Sequence, residues 1–284
     1  MRTTSEAPVA EPQPVKRALR RRESAADPPT DVRAAAVEID GLEHSFAELE
    51  VIARIDLRLR PGEVRGLVGP SGCGKSTLLE LVSGLREPST GTIAVHGGAG
   101  ARQRLASCAY MPQRDLLLPW LSAIDNAAIA LRNRGASRRH AREAAHPLFE
   151  RFGLAGFERT RPTELSGGMR QRIAFLRTLL AGKPVLLLDE PFASLDAITR
   201  AEMQEWLAGA LAAESRSVIL VSHDVEEALY LSDRVTVLSP RPARAVAEVS
   251  APAPRARPRL EAVTDPGFTA ARERALEALT EASR

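Results

Sequence analysis

The 284-residue chain has little cysteine, few aromatic residues and no long apolar run. Its two cysteines, Cys73 and Cys108, are too few for the disulfide framework of a small secreted domain, so a reducing compartment fits better. The longest apolar runs, such as 185–188 and 218–221, have the length of a strand, whereas a membrane span needs about 18 apolar residues. The first residues also lack the apolar core of a signal peptide. We therefore expect the chain to stay in the cytosol and to reach a membrane only through a partner.

The net charge of +3 is distributed unevenly along the chain. Residues 1–33 carry 7 basic and 5 acidic side chains, and residues 240–284 carry 8 and 6. The middle, 34–239, has 24 basic and 25 acidic side chains, which is a net charge of −1. The basic excess therefore lies in the two ends, and we expect no nucleic-acid partner.

The sequence divides into three parts. Residues 1–33 are rich in Pro, Ala, Glu and Arg without apolar periodicity, which predicts a disordered tail. Its basic run 16–22 could contact anionic lipid or simply be solvated. In 34–240, strand-like and helix-like segments alternate, which predicts a parallel sheet. The extension 241–284 begins with several prolines and ends in a short amphipathic helix, predicted over 268–282.

The segment Gly69–Ser76 has the pattern G-x-x-x-x-G-K-[ST] of a phosphate-binding loop. Its glycines let backbone N–H groups approach phosphate oxygens, Lys75 can reach the β- and γ-phosphates, and the Ser76 hydroxyl can bind Mg²⁺. A buried strand is predicted before the loop and a helix after it, which is the arrangement that binds anions. The candidate ATP-binding residues of this loop are Gly69, Pro70, Ser71, Gly72, Cys73, Gly74, Lys75, Ser76 and Thr77.

The aliphatic run 185–188 ends in two carboxylates, Asp189 and Glu190. Such a run predicts a strand buried on both faces, and ligands gather at the carboxyl ends of these strands. Asp189 there can hold Mg²⁺ through water, and Glu190 can act as general base on an attacking water. A core strand followed by a solvated acidic turn is the alternative, which the phosphate-binding loop upstream disfavours.

A second candidate anion site lies at Leu165–Arg172, where Ser166 can cap a helix and two glycines leave N–H groups open. An ordinary Ser-capped helix with a Gly-rich entry is the alternative. One nucleotide does not need two phosphate sites in one chain. The second site is explained if it serves the nucleotide bound to another copy.

These motifs and their order resemble the ATP-binding subunits of ABC transporters over roughly residues 35–240. The resemblance implies an α/β fold: a P-loop NTPase core with a mainly parallel sheet, an N-terminal antiparallel β part and a helical signature subdomain at about 114–182. The further matching residues are Phe46 (adenine stacking), Gln113 (Q-loop), Leu165, Ser166, Gly167, Gly168 and Met169 (signature), Ser194, Leu195 and Asp196 (D-loop) and His223 (switch).

The resemblance implies that two copies sandwich two ATP molecules as a homodimer. Lys75 and its loop would face Ser166 and Gly168 of the other copy across the γ-phosphate, Glu190 would activate water, and Lys75 and His223 would stabilise the developing charge. Closing on ATP and opening after hydrolysis would drive a membrane partner. The implied Mg²⁺ ligands are Ser76, Gln113 and Asp189.

A finer resemblance at 115–120 and 125–126 is to the importer group for nitrate, sulfonate, taurine and thiamine-precursor pyrimidines. It implies an integral membrane permease docking near Gln113–Trp120, an extracytoplasmic solute-binding protein, and a position at the cytoplasmic face of the cell membrane. A local packing cluster at 116–120 is the alternative to a docking groove.

A soluble ABC ATPase in translation or DNA repair is the alternative function. Translation-type members usually carry two phosphate loops in tandem, and this chain has one. Repair-type members usually insert a long coiled coil between loop and signature, whereas only 90 residues separate Lys75 from Leu165. The importer interpretation is therefore favoured.

Overall fold

The computed structural model describes residues 35–193, 195–213, 215–252 and 257–283, and within these ranges nine strands form one sheet. The tail predicted to be disordered, 1–33, lies outside the described residues. The strands are β1 (Val37–Phe46), β2 (Leu49–Leu59), β3 (Val64–Val68), β4 (Thr90–Val95), β5 (Cys108–Met111), β6 (Val185–Asp189), β7 (Ser217–Ser222), β8 (Arg234–Leu238) and β9 (Ala243–Ser250).

The strand order is β4-β1-β2-β9-β8-β3-β7-β6-β5. From β8 to β5 every neighbouring pair is parallel, whereas β1 pairs antiparallel with both β2 and β4. The predicted α/β class, with a mainly parallel core and an N-terminal antiparallel part, is confirmed.

Strand β9 was not predicted from the sequence, because the prolines around it favour irregular structure. Pro242 lies immediately before the strand and Pro252 lies after it, so neither removes an N–H from its hydrogen-bond ladder. The strand runs antiparallel to β8 and pairs in parallel with β2. It therefore joins the antiparallel and parallel parts of the sheet.

Ten α-helices lie within the described ranges, and none of them is long and apolar enough to cross a membrane. They are α1 (Lys75–Ser83), α2 (Ala101–Ser107), α3 (Ala123–Ala127), α4 (Ile129–Asn133), α5 (Arg138–Arg151), α6 (Gly167–Leu180), α7 (Ala197–Ala212), α8 (Val225–Leu231), α9 (Arg259–Val263) and α10 (Pro266–Ala282).

The central strands are buried on both faces. Along β6, Leu186 and Leu188 belong to a core shared with α6, α7 and α8, whereas Leu187 belongs to a second core shared with α1 and the antiparallel strands. This explains why β6 reads as a continuous aliphatic run rather than an alternating one.

The carboxyl ends of four parallel strands meet at one edge of the sheet. β7 lies between β3 and β6, with Val68 opposite Ser222 and Asp189 opposite Val221. β5 lies beside β6 at the same edge. The phosphate-binding loop, Gln113, Glu190 and His223 all follow these strand ends, so the fold brings distant segments of the sequence together.

A cluster of three aromatic rings joins the helical segment to α7. The Trp206 ring packs against Phe152 (centroids 5.1 Å apart) and Phe175 (5.3 Å), both close to edge-to-face. Such pairs stabilise beyond the area that they bury. Trp206 is therefore a packing residue.

Candidate active site

The phosphate-binding loop folds around the side chain of Lys75. Lys75 is buried, and its Nζ donates hydrogen bonds to the carbonyl oxygens of Gly69 (2.8 Å) and Pro70 (3.0 Å). Gly74 has a φ of +117°, and a Cβ there would lie 2.9 Å from a Val51 methyl group. Glycine is thus required where the loop enters α1. The loop holds a positive charge at the N-terminus of a helix, which is an anion-binding arrangement.

Asp189 ends β6 as a buried carboxylate. The Tyr110 hydroxyl donates to Asp189 Oδ2 (2.9 Å), whereas Oδ1 has no hydrogen-bond partner among the described residues. Burial raises the pKa of Asp189, and the hydroxyls of Ser76 and Tyr110 oppose that rise. A buried carboxylate oxygen without a partner, beside a serine hydroxyl, suits a hard divalent cation.

Glu190 is the point at which three predicted functional side chains converge. Gln113 Nε2 donates to Glu190 Oε2 (3.0 Å), and His223 Nδ1 lies 3.5 Å from the same oxygen. Lys75 Nζ lies 4.0 Å from Oε1. Glu190 itself has a φ of +43°, which is a strained conformation for a residue with a side chain, and its N–H donates to Val221 O (3.0 Å). Strain of this kind is typical of functional sites.

A cavity of about 580 Å³ opens at Glu190. Its walls come from the phosphate-binding loop, the Q-loop, the residues after β6 and β7, and the C-terminal helix α10. The lining residues are Gly69, Pro70, Ser71, Gln113, Glu190, Ala193, His223 and Leu279. Three of the predicted catalytic and ATP-contacting side chains, those of Gln113, Glu190 and His223, thus share one cavity, and Lys75 lies within 4.0 Å of Glu190.

Two members of this site were not predicted from the sequence. Tyr110 lies three residues before Gln113, and its place in β5, paired with Leu187 of β6, puts it beside Asp189. Leu279 comes from the C-terminal extension, which no motif covers. Strand order could have indicated Tyr110, whereas nothing in the sequence indicated that Leu279 lines this cavity.

The signature segment lies apart from this cavity. Ser166 caps α6 by accepting a hydrogen bond from the Met169 N–H (3.3 Å). A Cβ on Gly168 would lie 3.1 Å from the Thr199 methyl group at the start of α7, so the glycine permits this close packing. Among the described residues that line the cavity around Glu190, none belongs to the signature. A single copy therefore does not bring the signature and the phosphate-binding loop to one site.

The D-loop segment ends where α7 begins. Asp196 Oδ1 caps this helix by accepting from the N–H groups of Ile198 and Thr199 (3.1 Å each). Leu195 is buried, and Ser194 lies outside the described residues. The cap fixes the chain direction between Glu190 and α7.

The sequence model described as ABC transporter matches residues 52–193, which includes the phosphate-binding loop, the signature and β6. The chain belongs to the ABC transporter family. It is therefore an ATP-binding protein of the P-loop type and an ATPase.

Two relatives illustrate how close this ABC protein is to known import subunits. It is 44% identical to the formylaminopyrimidine import ATP-binding protein ThiZ of Halalkalibacterium halodurans, over 71% of this chain and 78% of that protein. It is 47% identical to the aliphatic sulfonates import ATP-binding protein SsuB 1 of Rhodococcus jostii, over 72% and 79%. The alternative of a translation or repair ATPase is not favoured by these relatives.

A solved structure supports the fold. A dimeric ATP-binding cassette in a post-hydrolysis state with ADP and Pi superposes with a TM-score of 0.66 at 24% identity, over 76% of this chain and 99% of that chain. In keeping with the absence of a long inserted coiled coil, the longest described helix between α1 and the signature is the 14-residue α5.

Phe46 of this ABC ATPase lies at the end of β1, outside the cavity around Glu190. The guanidinium of Arg86 lies 4.9 Å from the centre of its ring, and the His44 ring packs edge-on at 4.9 Å. Phe46 remains 38% exposed. Its ring is thus held by two neighbours and retains accessible surface for a further planar group.

The loop after Gln113 presents two large apolar side chains to solvent. Leu116 is 58% exposed and Trp120 is 68% exposed, whereas Leu117 between them is buried. Arg177 of α6 holds the loop by donating to the carbonyl oxygens of Asp115 and Leu116. The exposed pair is therefore supported by a fixed backbone.

Buried polar groups of α3 hold the other end of this loop. The Asn126 side chain accepts from the Leu118 N–H (2.7 Å) and donates to the carbonyl oxygens of Leu118 (3.1 Å) and Leu121 (3.3 Å). Asp125 accepts hydrogen bonds from Arg138 and Arg142 of α5. Buried groups that are satisfied in this way define one loop conformation.

Proposed function

We propose that this ATPase is the energy-coupling subunit of an importer for a small anionic or heterocyclic solute, and that Glu190 is its general base. The convergence of Gln113, His223 and Lys75 on the Glu190 carboxylate carries the proposal. A general base must be oriented by its neighbours and lie at a cavity that water and substrate can enter. Glu190 meets both conditions.

ATP binds with its phosphates at the loop Gly69–Thr77. Lys75 exchanges its contacts with the Gly69 and Pro70 carbonyl oxygens for phosphate oxygens, which are the better acceptors because they are charged. The adenine stacks on the exposed face of Phe46. These contacts position the γ-phosphate toward Glu190.

In the hydrolytic step, the oxygen of a water molecule bonds to the γ-phosphorus while the bond from that phosphorus to the β–γ bridging oxygen breaks. Glu190 takes the proton of the water, and ADP and phosphate leave. Lys75 and His223 stabilise the negative charge that develops on the transferred group. Gln113 and His223, which contact the same Glu190 oxygen, orient the carboxylate for this role.

A magnesium ion fits the residues beside this site. Asp189 offers its unpartnered buried oxygen, directly or through water, and Ser76 and Gln113 offer uncharged oxygens. When bound, the ion supplies positive charge that offsets the charge of the β- and γ-phosphates.

Two copies form the ATP-bound state. Within one copy, Ser166 and Gly168 lie apart from the cavity around Glu190, although their helix N-terminus suits an anion. In a head-to-tail homodimer, the signature residues Leu165–Met169 of each copy complete the phosphate site of the other. The Asp196 cap, with Ser194 and Leu195 before it, lies at the same interface.

The membrane partner is an integral permease that docks near Gln113–Trp120, which places this chain at the cytoplasmic face of the membrane. The exposed Leu116 and Trp120, on a fixed loop, suit a helix of that partner. An extracytoplasmic solute-binding protein completes the complex. Relatives of almost equal identity are named for a pyrimidine and for sulfonates, so selectivity is expected in the other subunits.

A capture experiment tests this function. Tagged Glu190→Gln chain is incubated with MgATP and native membranes, and co-purifying proteins are identified by mass spectrometry. A polytopic membrane protein, with or without a solute-binding protein, is the expected result. Recovery of ribosomes, nucleic acid or soluble proteins alone would overturn the importer function.

A further inference from the structure

The C-terminal helix α10 reaches the cavity around Glu190. Its first turns are anchored in the core by Phe268, Ala271 and Ala275, all of which are buried. One turn beyond Ala275, Leu279 lines the cavity that contains Glu190 and His223. An aliphatic side chain from the extension therefore forms part of a wall that is otherwise made by the nucleotide motifs.

The same extension also forms hydrogen bonds with α8, the helix that follows His223. Glu226 lies in the first turn of α8, three residues after His223. One of its oxygens accepts a hydrogen bond from Arg259 of α9, and the other accepts from Arg272 of α10 (3.2 Å). Both carboxylate oxygens of Glu226 are thus held by the extension.

Two successive hydrogen bonds lead from Arg259 into the protein interior. Arg259 Nε donates to Gln204 Oε1 (2.7 Å), and Gln204 Nε2 donates to Glu227 Oε2 (3.0 Å). Gln204 and Glu227 are buried, so their hydrogen bonds are not replaced by water when they break. Gln204 belongs to α7, the helix capped by Asp196, and Glu227 belongs to α8. Arg259 therefore links the helices that follow the D-loop and the switch histidine.

We infer that residues 257–282 of the extension are a positioning element of the catalytic site, in which Arg259 fixes the helix after His223 and Leu279 closes the cavity wall beside it. This inference rests on the proposed roles of Glu190 and His223. Arg259 and Leu279 act through these residues and through the exclusion of water, not through contact with the reacting atoms. Small displacements of a positioned group are enough to slow a reaction severely.

Steady-state ATP hydrolysis by the purified full-length chain tests the inference. The variants are Leu279→Ala and Arg259→Met, with Leu276→Ala and Arg274→Met as matched controls on exposed positions of α10. We expect kcat to fall about tenfold or more in the first pair, with KM for MgATP changed less than about twofold, because the phosphate-binding loop is untouched. Leu279→Met, which keeps an apolar side chain of similar volume, is expected to restore most of kcat.

The outcomes separate the inference from the function on which it rests. Wild-type activity that disappears in Glu190→Gln, together with unchanged kcat in Leu279→Ala and Arg259→Met, would overturn the inference alone. A wild-type chain without ATPase activity, or an active Glu190→Gln variant, would overturn the proposed function. If Arg259→Met does not fold, as judged by nucleotide-binding stoichiometry, the comparison of Leu279→Ala with Leu279→Met and Leu276→Ala decides the question.

Discussion

Gln113 Nε2 donates a 3.0 Å hydrogen bond to Glu190 Oε2, although the two residues are 77 positions apart in the sequence. Gln113 also begins the loop that presents Leu116 and Trp120 to solvent. One short segment, residues 113–120, therefore contacts the carboxylate proposed to activate water and also carries the surface proposed to meet the permease. A change at the γ-phosphate that reorients Glu190 can therefore reach, through Gln113, the loop proposed to meet the permease.

Glu190→Gln is expected to retain ATP binding and to lose turnover. The amide keeps the shape of the carboxylate and can still contact Gln113 and His223, but it cannot accept the proton of the attacking water. The loss should be about 100-fold or more, since general-base catalysis contributes that much. Phosphate release and equilibrium binding of labelled ATP measure the two effects separately.

The matched control for this substitution is Glu143→Gln, which makes the same chemical change in a surface ion pair with Arg139 on α5. Its turnover should equal that of the wild type. A Glu190→Gln chain that hydrolyses ATP at the wild-type rate would refute the general-base assignment, whatever the control does.

Tyr110→Phe is expected to destabilise the folded chain by about 1 to 3 kcal/mol, because it leaves the second oxygen of the buried Asp189 without its donor. Urea denaturation measures the loss. Tyr230→Phe is the matched control, since its hydroxyl donates to the backbone carbonyl of Arg257 (3.3 Å) rather than to a buried carboxylate. Equal losses in the two variants would show that the Tyr110–Asp189 bond has no special weight.

Much of the fold could be predicted because its signals are local. The strand β6 covers the aliphatic run 185–188, and the phosphate-binding loop lies between a buried strand and a helix, as its pattern requires. Strand ends at one edge of a parallel sheet then bring Glu190 and His223 together. The resemblance to the ATP-binding subunits of ABC transporters predicted the role of each of these motifs.

The features that were missed depend on long-range packing. The hydrogen bond between Arg259 and Gln204 joins residues 55 positions apart, and no local pattern specifies it. The amphipathic helix predicted over 268–282 carries Leu276, but this side chain is 46% exposed. The face that docks carries Ala271 and Ala275, and small residues of this kind give little hydrophobic periodicity although they permit close packing.

Glu227→Gln is expected to make the stability of the chain less sensitive to pH. Burial raises the pKa of Glu227 to about 7, with Asp224 acting in the same direction and Ser222, Gln204 and Arg200 opposing. In the unfolded chain the pKa of a Glu is about 4.3. Glu227 therefore contributes fully to stability below about pH 4.3, and this contribution is lost as the pH rises to the folded-state pKa of about 7. The wild type should therefore lose stability between pH 5 and 8 relative to the variant.

From pH 5 to 8, the free energy of unfolding of Glu227→Gln should rise relative to that of the wild type by roughly 1 to 3 kcal/mol. Urea denaturation at four pH values measures this change. Glu143→Gln, which alters an exposed carboxylate, should show no such trend. Stability curves of Glu227→Gln and wild type that run parallel from pH 5 to 8 would contradict a neutral buried Glu227.

Trp120→Ala is expected to separate ATP hydrolysis from assembly with the membrane partner. The side chain is 68% exposed and its removal leaves Gln113, Glu190 and the anchoring bonds of Asn126 in place, so hydrolysis by the purified chain should change less than about twofold. Recovery of the permease in the capture experiment should fall about tenfold or more, because exposed aromatic anchors carry much of the binding energy of an interface.

Leu105→Ala, on the exposed face of α2, is the matched control and should capture the permease normally. Normal capture by Trp120→Ala would show that the loop after Gln113 is a local packing cluster, whereas loss of capture with intact hydrolysis would identify it as the docking surface.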